Sequence, residues 1–178
     1  FVRELKTRCG GMAAKALEFT ILTASRTNEV IGDKRIGKPG ITWREIDFDR
    51  KLWIVPADRM KSGREHRVPL SSRALEILQE IGPDAPDAYV FPGPKGEIAS
   101  NNFLTAVLKR LDIPVTVHGF RSTFKDWARE RAPHFSDELS ELALAHVNSD
   151  ATRAAYARSD LIENRRQLMN EWQAFCLG

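Results

Sequence analysis

Residues 118–160 read HGFRSTFKDWARERAPHFSDELSELALAHVNSDATRAAYARSD. The apolar positions Phe120, Phe124, Trp127 and Ala128 return at helical spacing and predict a helix from roughly Gly119 to Arg131. Ser136 or Asp137 can start a second helix over Glu138–Ala145, which leaves His146 at its C-terminal end. After a short turn a further helix carries Tyr156, with the small residues Ala154 and Ala155 before it. A last amphipathic helix, Asp160 to Cys176, sets Leu161, Leu168, Met169, Trp172 and Cys176 on one side. It can pack on its own domain or on a neighbouring subunit. The C-terminal part of the chain therefore reads as helix after helix.

The same stretch carries reactive groups. His118 and Arg121 lie three apart and share one face of a helix, so both can address one set of ligand atoms. A guanidinium offers a planar fork of donors matched to phosphate oxygens. Histidine donates hydrogen bonds or moves protons near neutral pH, and a tyrosine oxygen can act as a covalent nucleophile. Each residue also has a plainer account. His118 can cap or pack, Arg121 can pair with an acid, and a cationic His146 suits a helix C-terminus. His134, beside Pro133, reads as surface.

Moving outward, Leu17, Ile21 and Ala24 give a helix over Met12 to Ser25 a buried face. A break at Ser25-Arg26-Thr27 follows, with Thr27 the expected N-cap of a short helix through Val30. Glu29 can hold Arg26 as a structural pair, or can hold its guanidinium toward a phosphate. IGDKRIGKPG, residues 31–40, is loop chemistry, with Lys34, Arg35 and Lys38 either contacting a DNA backbone or belonging to a mobile surface loop. ITWREIDF, KLWIVPA and HRVPL then predict a three-stranded antiparallel sheet, turning at Asp49-Arg50-Lys51 and near Ser62-Gly63. Lys61 belongs to the second hairpin. Arg59, Arg64 and Arg67 read as phosphate contacts or as surface, and His66 among them receives no role. Ser71 or Ser72 starts a helix ended by Gly82-Pro83. Tyr89 reads as packing, and Ser100 or Asn101 starts a helix through Leu111.

At 178 residues, 42% hydrophobic and 29% charged, the chain fits one globular domain and excludes a disordered one. No apolar run is long enough to cross a bilayer. The opening FVRELKTRCGG lacks the apolar region of a secretory signal. Cys9 and Cys176 sit near opposite ends without metal-ligand spacing, and read as reduced cysteines of a cytoplasmic protein. Net charge is +3, yet residues 34–73 hold eleven Lys or Arg against five acids, a surplus larger than that of the whole chain. Such a basic stretch favours a polyanion such as DNA over a solvated face only when other signals agree.

Five words agree. LTASRTNEV, MKSGREHRVPL, VHGFRSTFKDWA, LALAHV and AAYARSD, in this order from about Leu17 onward, resemble the catalytic domain of the tyrosine recombinase (phage integrase) family. The likeness is to its prophage and genomic-island integrases. It implies an α+β fold, mainly α-helical, with a small three-stranded antiparallel sheet. It also implies strand transfer through a 3′-phosphotyrosine. Tyr156 is then the nucleophile, and Arg26, Arg121 and His146 bind the nonbridging oxygens. His118 assists proton transfer, Lys61 acts as general acid, and Glu29 supports Arg26. Neither a cofactor, a metal ion nor ATP is expected. Double-stranded DNA is the expected partner, with a homotetramer on DNA and a monomer compatible with the isolated domain. The location is the cytoplasm of a bacterium, the gene bacterial or phage-borne. Residues 1–178 correspond to the C-terminal catalytic domain of a longer protein whose N-terminal DNA-binding domain lies outside this chain. Residues 31–40 depart from the family pattern by their length. Strand resealing of the type IB topoisomerase or telomere resolvase kind, and a non-catalytic DNA-binding relic, remain the alternative readings.

Overall fold

A computed structural model describes residues 1–146 and 160–178, the side chains of 3, 6 and 7 excepted. Tyr156, and the expected helix around it, lie outside the described residues.

The core is built on α2 (Met12–Leu22), which is buried along most of its length. Helices α4 (Ser72–Ile81), α5 (Phe103–Arg110) and α8 (Ile162–Leu177) pack around it. Phe19 of α2 meets both Trp53 and Phe91, joining the helical layer to the sheet. Helix α1 (Val2–Arg8) was not legible in FVRELKTR, yet it buries Val2 and Leu5 against α2 and α8. Its seven residues are too few for the apolar spacing to repeat convincingly.

The sheet is three-stranded and antiparallel, in the order β1 (Ile46–Asp47), β2 (Leu52–Val55), β3 (His66–Pro69). Its register pairs Trp53 with Val68 and Val55 with His66. The first strand is much shorter than ITWREIDF predicts, because Trp43–Glu45 forms a single 3₁₀ turn. That turn buries the Glu45 carboxylate, which accepts from Trp53 Nε1 at 2.8 Å and from Arg59. Arg59 is only 5% exposed, and its other Nη donates to the Glu29 carbonyl. The expectation of a phosphate contact at Arg59 is therefore corrected. Its charge is spent inside the fold, fastening the sheet to α3 (Thr27–Ile31).

Two further boundaries differ from expectation. Arg26, not Thr27, precedes the first helical residue of α3, and the Glu29 carboxylate accepts from its backbone N–H at 2.9 Å. An acidic side chain reaching back in this way supplies one of the partners a helix start needs. Leu161 adopts φ +47° ahead of α8 and is exposed, so it does not share the buried face of Leu168, Met169 and Trp172. Trp172 donates to the Ile21 carbonyl at 2.8 Å and meets Phe124 edge-on, so α8 packs on its own domain.

Candidate active site

Helix α6 (Gly119–Arg131) is started by Thr116, whose hydroxyl accepts from the Gly119 N–H at 3.1 Å. His118 needs no capping role and stands exposed at the head of the helix. One turn on, Arg121 is buried, at 6% exposure. Its Nη1 donates to the Ala24 carbonyl at the end of α2. Its Nη2 donates to the Leu144 carbonyl at 2.8 Å, beyond α7 (Asp137–Ala143). A guanidinium has five N–H donors. Two therefore lock three helices together while others remain for a ligand.

Both carbonyl-bearing turns are unusual. Ala24 (φ +49°) and Ala145 (φ +51°) occupy the left-handed region without being glycine. Such a conformation costs about 1–2 kcal/mol per residue and is sustained only by the surrounding structure. Ala24 directs the end of α2 toward Arg121, and Ala145 turns the chain into His146.

His118, Arg121, Ser122, Lys125, Asp126, Leu144 and His146 line one open cavity of about 240 Å³. His146 Nε2 lies 3.4 Å from Arg121 Nη2, and its Nδ1 lies 2.6 Å from Glu141 Oε2. The other Glu141 oxygen meets Lys125 Nζ at 2.6 Å. Arg26 adjoins this cluster, with Nη1 held at 2.7 Å by Glu29 Oε1. Burial lowers the Arg121 pKa to about 10, and repulsion from Arg26 adds to the effect, against attraction from Glu29 and Glu141. Two guanidiniums near enough to oppose one another's charge form a site in which an anion relieves the repulsion.

The chain thus brings together His118, Arg121 and His146, with Arg26 and its partner Glu29 beside them. Lys61 is exposed on the β2–β3 connection and does not line the cavity. The remaining expected phosphate contacts are diverse. Arg64 is exposed; Arg67 pairs with Glu65 at 3.0 Å and Asp160 at 3.6 Å; Lys34 meets Glu97 at 3.6 Å. Arg35 is clamped to buried Asp33 at 2.8 Å. Asp33 also accepts from Asn101 at 2.7 Å, and these bonds hold its carboxyl well below the usual range. Residues 31–40 are accordingly an ordered turn.

Three contributors escaped the sequence reading. Glu141 and Lys125 carry no signal of their own in the sequence, each being one charged residue on an expected helix. The i to i+5 spacing from Glu141 to His146 was the available signal, since it spans the end of a helix where the chain folds back. His66 sits half-buried on β3, accepting no assigned role from its sequence context. Burial pushes its pKa down to about 3, with Arg165, Arg26 and Arg121 opposing its charge and a hydrogen bond to the Ala143 backbone favouring it. It lies near enough to Arg165, Arg26 and Arg121 to feel their charge, without lining the cavity. Among the described residues no group of three or more His, Cys, Asp or Glu has the arrangement of a metal site. No helix among them is long and apolar enough to cross a membrane.

The chain is thus a mainly helical domain with a three-stranded sheet that gathers arginine and histidine about one open cavity. The model of the phage integrase family matches residues 3–161, and the chain belongs to that family. It is 38% identical over 135 residues to a prophage integrase, IntA, of Escherichia coli K12, covering 73% of this chain and 32% of that protein. It is 30% identical over 182 residues to the integrase of Enterobacteria phage P4, covering 92% of this chain and 39% of the relative. The prophage integrase IntZ of Escherichia coli K12 is 32% identical over 161 residues, 88% of this chain and 38% of its own length. The chain spans a third to two-fifths of the length of these relatives. No solved structure matches it.

Proposed function

We propose that this chain is the catalytic part of a site-specific DNA recombinase that integrates or excises a prophage or genomic island. Tyr156 attacks a scissile phosphate, forming a 3′-phosphotyrosyl bond while the bond to the 5′ oxygen breaks. His118 takes the phenolic proton, and Lys61 protonates the departing 5′ oxygen. Arg26, Arg121 and His146 hydrogen-bond the nonbridging oxygens as charge builds on them, each contributing roughly 3–4 kcal/mol by analogy with oxyanion-hole donors. The ester conserves the energy of the broken bond, so attack by a new 5′ hydroxyl rejoins the strands. Double-stranded DNA is the substrate, and recombination between two duplexes calls for four protomers assembled on it.

The observation that carries this reading is the shared cavity of His118, Arg121 and His146, with Arg26 held beside it by Glu29. Arg121 is the pivot. It keeps its charge at physiological pH although buried, and it has donors left after its two structural bonds. The names of the relatives supply the biological direction, integration of phage and prophage DNA. The test is incubation with a nicked suicide duplex carrying the relatives' attachment sequences, followed by denaturing electrophoresis. The expected result is a protein–DNA adduct that survives denaturant and is abolished by Tyr156→Phe. Adduct formation unchanged in Tyr156→Phe overturns the assignment of the nucleophile. Relaxation of supercoiled DNA without recombinant product favours topoisomerase-like resealing instead.

A further inference from the structure

Behind His146 lies a relay that the proposed chemistry does not itself use. Lys125, on α6, reaches across to α7 and donates to Asp137 Oδ1 at 2.8 Å, Ser140 Oγ at 2.6 Å and Glu141 Oε1 at 2.6 Å. Arg129 secures the same Asp137 carboxylate at 2.9 Å. Glu141 is thereby held in place, and its second oxygen receives His146 Nδ1 at 2.6 Å. The backbone doubles the link, since the His146 N–H donates to the Glu141 carbonyl at 3.0 Å. We propose that Glu141, fixed by Lys125, is a positioning residue that sets the tautomer of His146 and aims its Nε2 into the cavity.

Donors and acceptors on either side of the ring decide the tautomer. Burial raises the Glu141 pKa, but hydrogen bonds from Lys125 and His146 outweigh it and the net shift is downward, so the group is a carboxylate at neutral pH. A carboxylate only accepts. His146 Nδ1 must therefore carry a hydrogen. On the far side of the ring, Nε2 stands 3.4 Å from an Arg121 nitrogen, which only donates. Both neighbours demand the same neutral form, Nδ1–H with Nε2 unprotonated. In that form Nε2 accepts from Arg121 until a phosphoryl oxygen displaces the contact. A proton gained at Nε2 then makes the ring a donor toward the anion, with the positive charge balanced by Glu141 behind it. Lys125 matters as well. It occupies one Glu141 oxygen, so both oxygens must accept, and glutamine in this place has only one acceptor to offer.

That last point makes the proposal testable without reference to activity. Long-range ¹H–¹⁵N correlation spectra of the whole chain, uniformly labelled with ¹⁵N, report the tautomer of each of its four histidine rings. His146→Gln identifies the His146 signals by their loss. Wild-type protein above neutral pH is expected to show His146 as Nδ1–H. In Glu141→Gln the amide oxygen turns to Lys125 and the amide nitrogen faces the ring, so the signals are expected to move to the Nε2–H pattern. The amide spectrum away from α7 should stay in place. A wild-type His146 in the Nε2–H form overturns the proposal whether or not the variant folds, and so does an unchanged pattern in a folded Glu141→Gln.

The role in catalysis rests on the recombinase reading and is read separately. Single-turnover cleavage by Glu141→Gln should fall on the order of 10–100-fold, by analogy with replacing the hydrogen-bond partner of a metal-bound histidine. A tautomer change with unaltered cleavage leaves the positioning intact and counts against the part given to His146 in strand transfer.

Discussion

Arg121→Lys keeps a positive charge at the head of α6 but removes the fork. In the native fold the guanidinium reaches the Ala24 and Leu144 carbonyls at once, the latter at 2.8 Å. An ammonium at the end of a lysine stem satisfies one of them and leaves the other without its donor. A hydrogen bond from a charged group is worth roughly 1.5–3 kcal/mol. The left-handed turn at Ala24 or Ala145 also loses part of what holds it. The expected destabilisation is therefore about 2–4 kcal/mol. Urea unfolding followed by fluorescence measures it, since Trp127 and Trp172 lie against Phe124 of the same helix. Cleavage of a suicide duplex should fall further than stability accounts for. Losing a bidentate donor to the phosphoryl oxygens removes about 3–4 kcal/mol of transition-state stabilisation, on the order of 10²–10³ in rate. A variant within about 0.5 kcal/mol of wild type, the range of ordinary surface changes, and cutting at the wild-type rate, refutes the place given to Arg121.

Three other outcomes follow from the fold. The His66 ring has a folded pKa near 3 against an ordinary 6.5, so between these values the unfolded chain binds the extra proton and stability falls as pH drops. Relative to His66→Gln, wild type should lose about 2 kcal/mol between pH 7.5 and pH 5 at about 1.4 kcal/mol per unit below 6.5; parallel stability curves contradict this. Arg59→Met should cost about 3–5 kcal/mol by stranding the buried Glu45 carboxylate, while leaving the salt slope of DNA binding unchanged. A shallower slope at wild-type stability returns Arg59 to the phosphate contacts. Gly32→Ala forces a side chain onto φ +77° and into the Lys38 carbonyl and the Gly40 nitrogen at 2.7 Å, so calorimetry should show the melting temperature falling by roughly 5–8 °C. An unshifted transition means residues 32–40 are not the ordered turn described.

What was legible in the chain depended on the range of the signal. Helical spacing over Phe120, Phe124 and Trp127 marks α6 to the residue, because thirteen residues repeat the pattern several times. Ser136 caps its helix as residues of that type do, its hydroxyl accepting from the Leu139 N–H at 3.3 Å, whereas Ser71 precedes α4 without a capping bond from its side chain. The short elements were another matter. ITWREIDF alternates like a strand, yet a buried Glu45 must reach Trp53 and Arg59, and the 3₁₀ turn that delivers it interrupts the ladder. Arg59 and Arg67 look alike in sequence, but one is enclosed and the other pairs at the surface. Nothing local distinguishes them, since partners 14 and 30 residues away decide which is buried. The same holds at the site. HGFR and LALAHV name His118, Arg121 and His146 directly, whereas Glu141, Lys125 and His66 acquire meaning only when α6, α7 and β3 meet.

The central claim is that a phenol near the C-terminus exchanges with a sugar oxygen on phosphorus inside this arginine and histidine cradle. Proteolysis of the trapped protein–DNA adduct, nuclease trimming and mass spectrometry of the surviving peptide test it most directly. The account predicts a nucleotide phosphate carried on Tyr156, in amounts that collapse in Arg26→Ala and Arg121→Ala. Phosphate found instead on Ser122, on Tyr89 or on a histidine, or an adduct on Tyr156 undiminished by loss of both arginines, contradicts it.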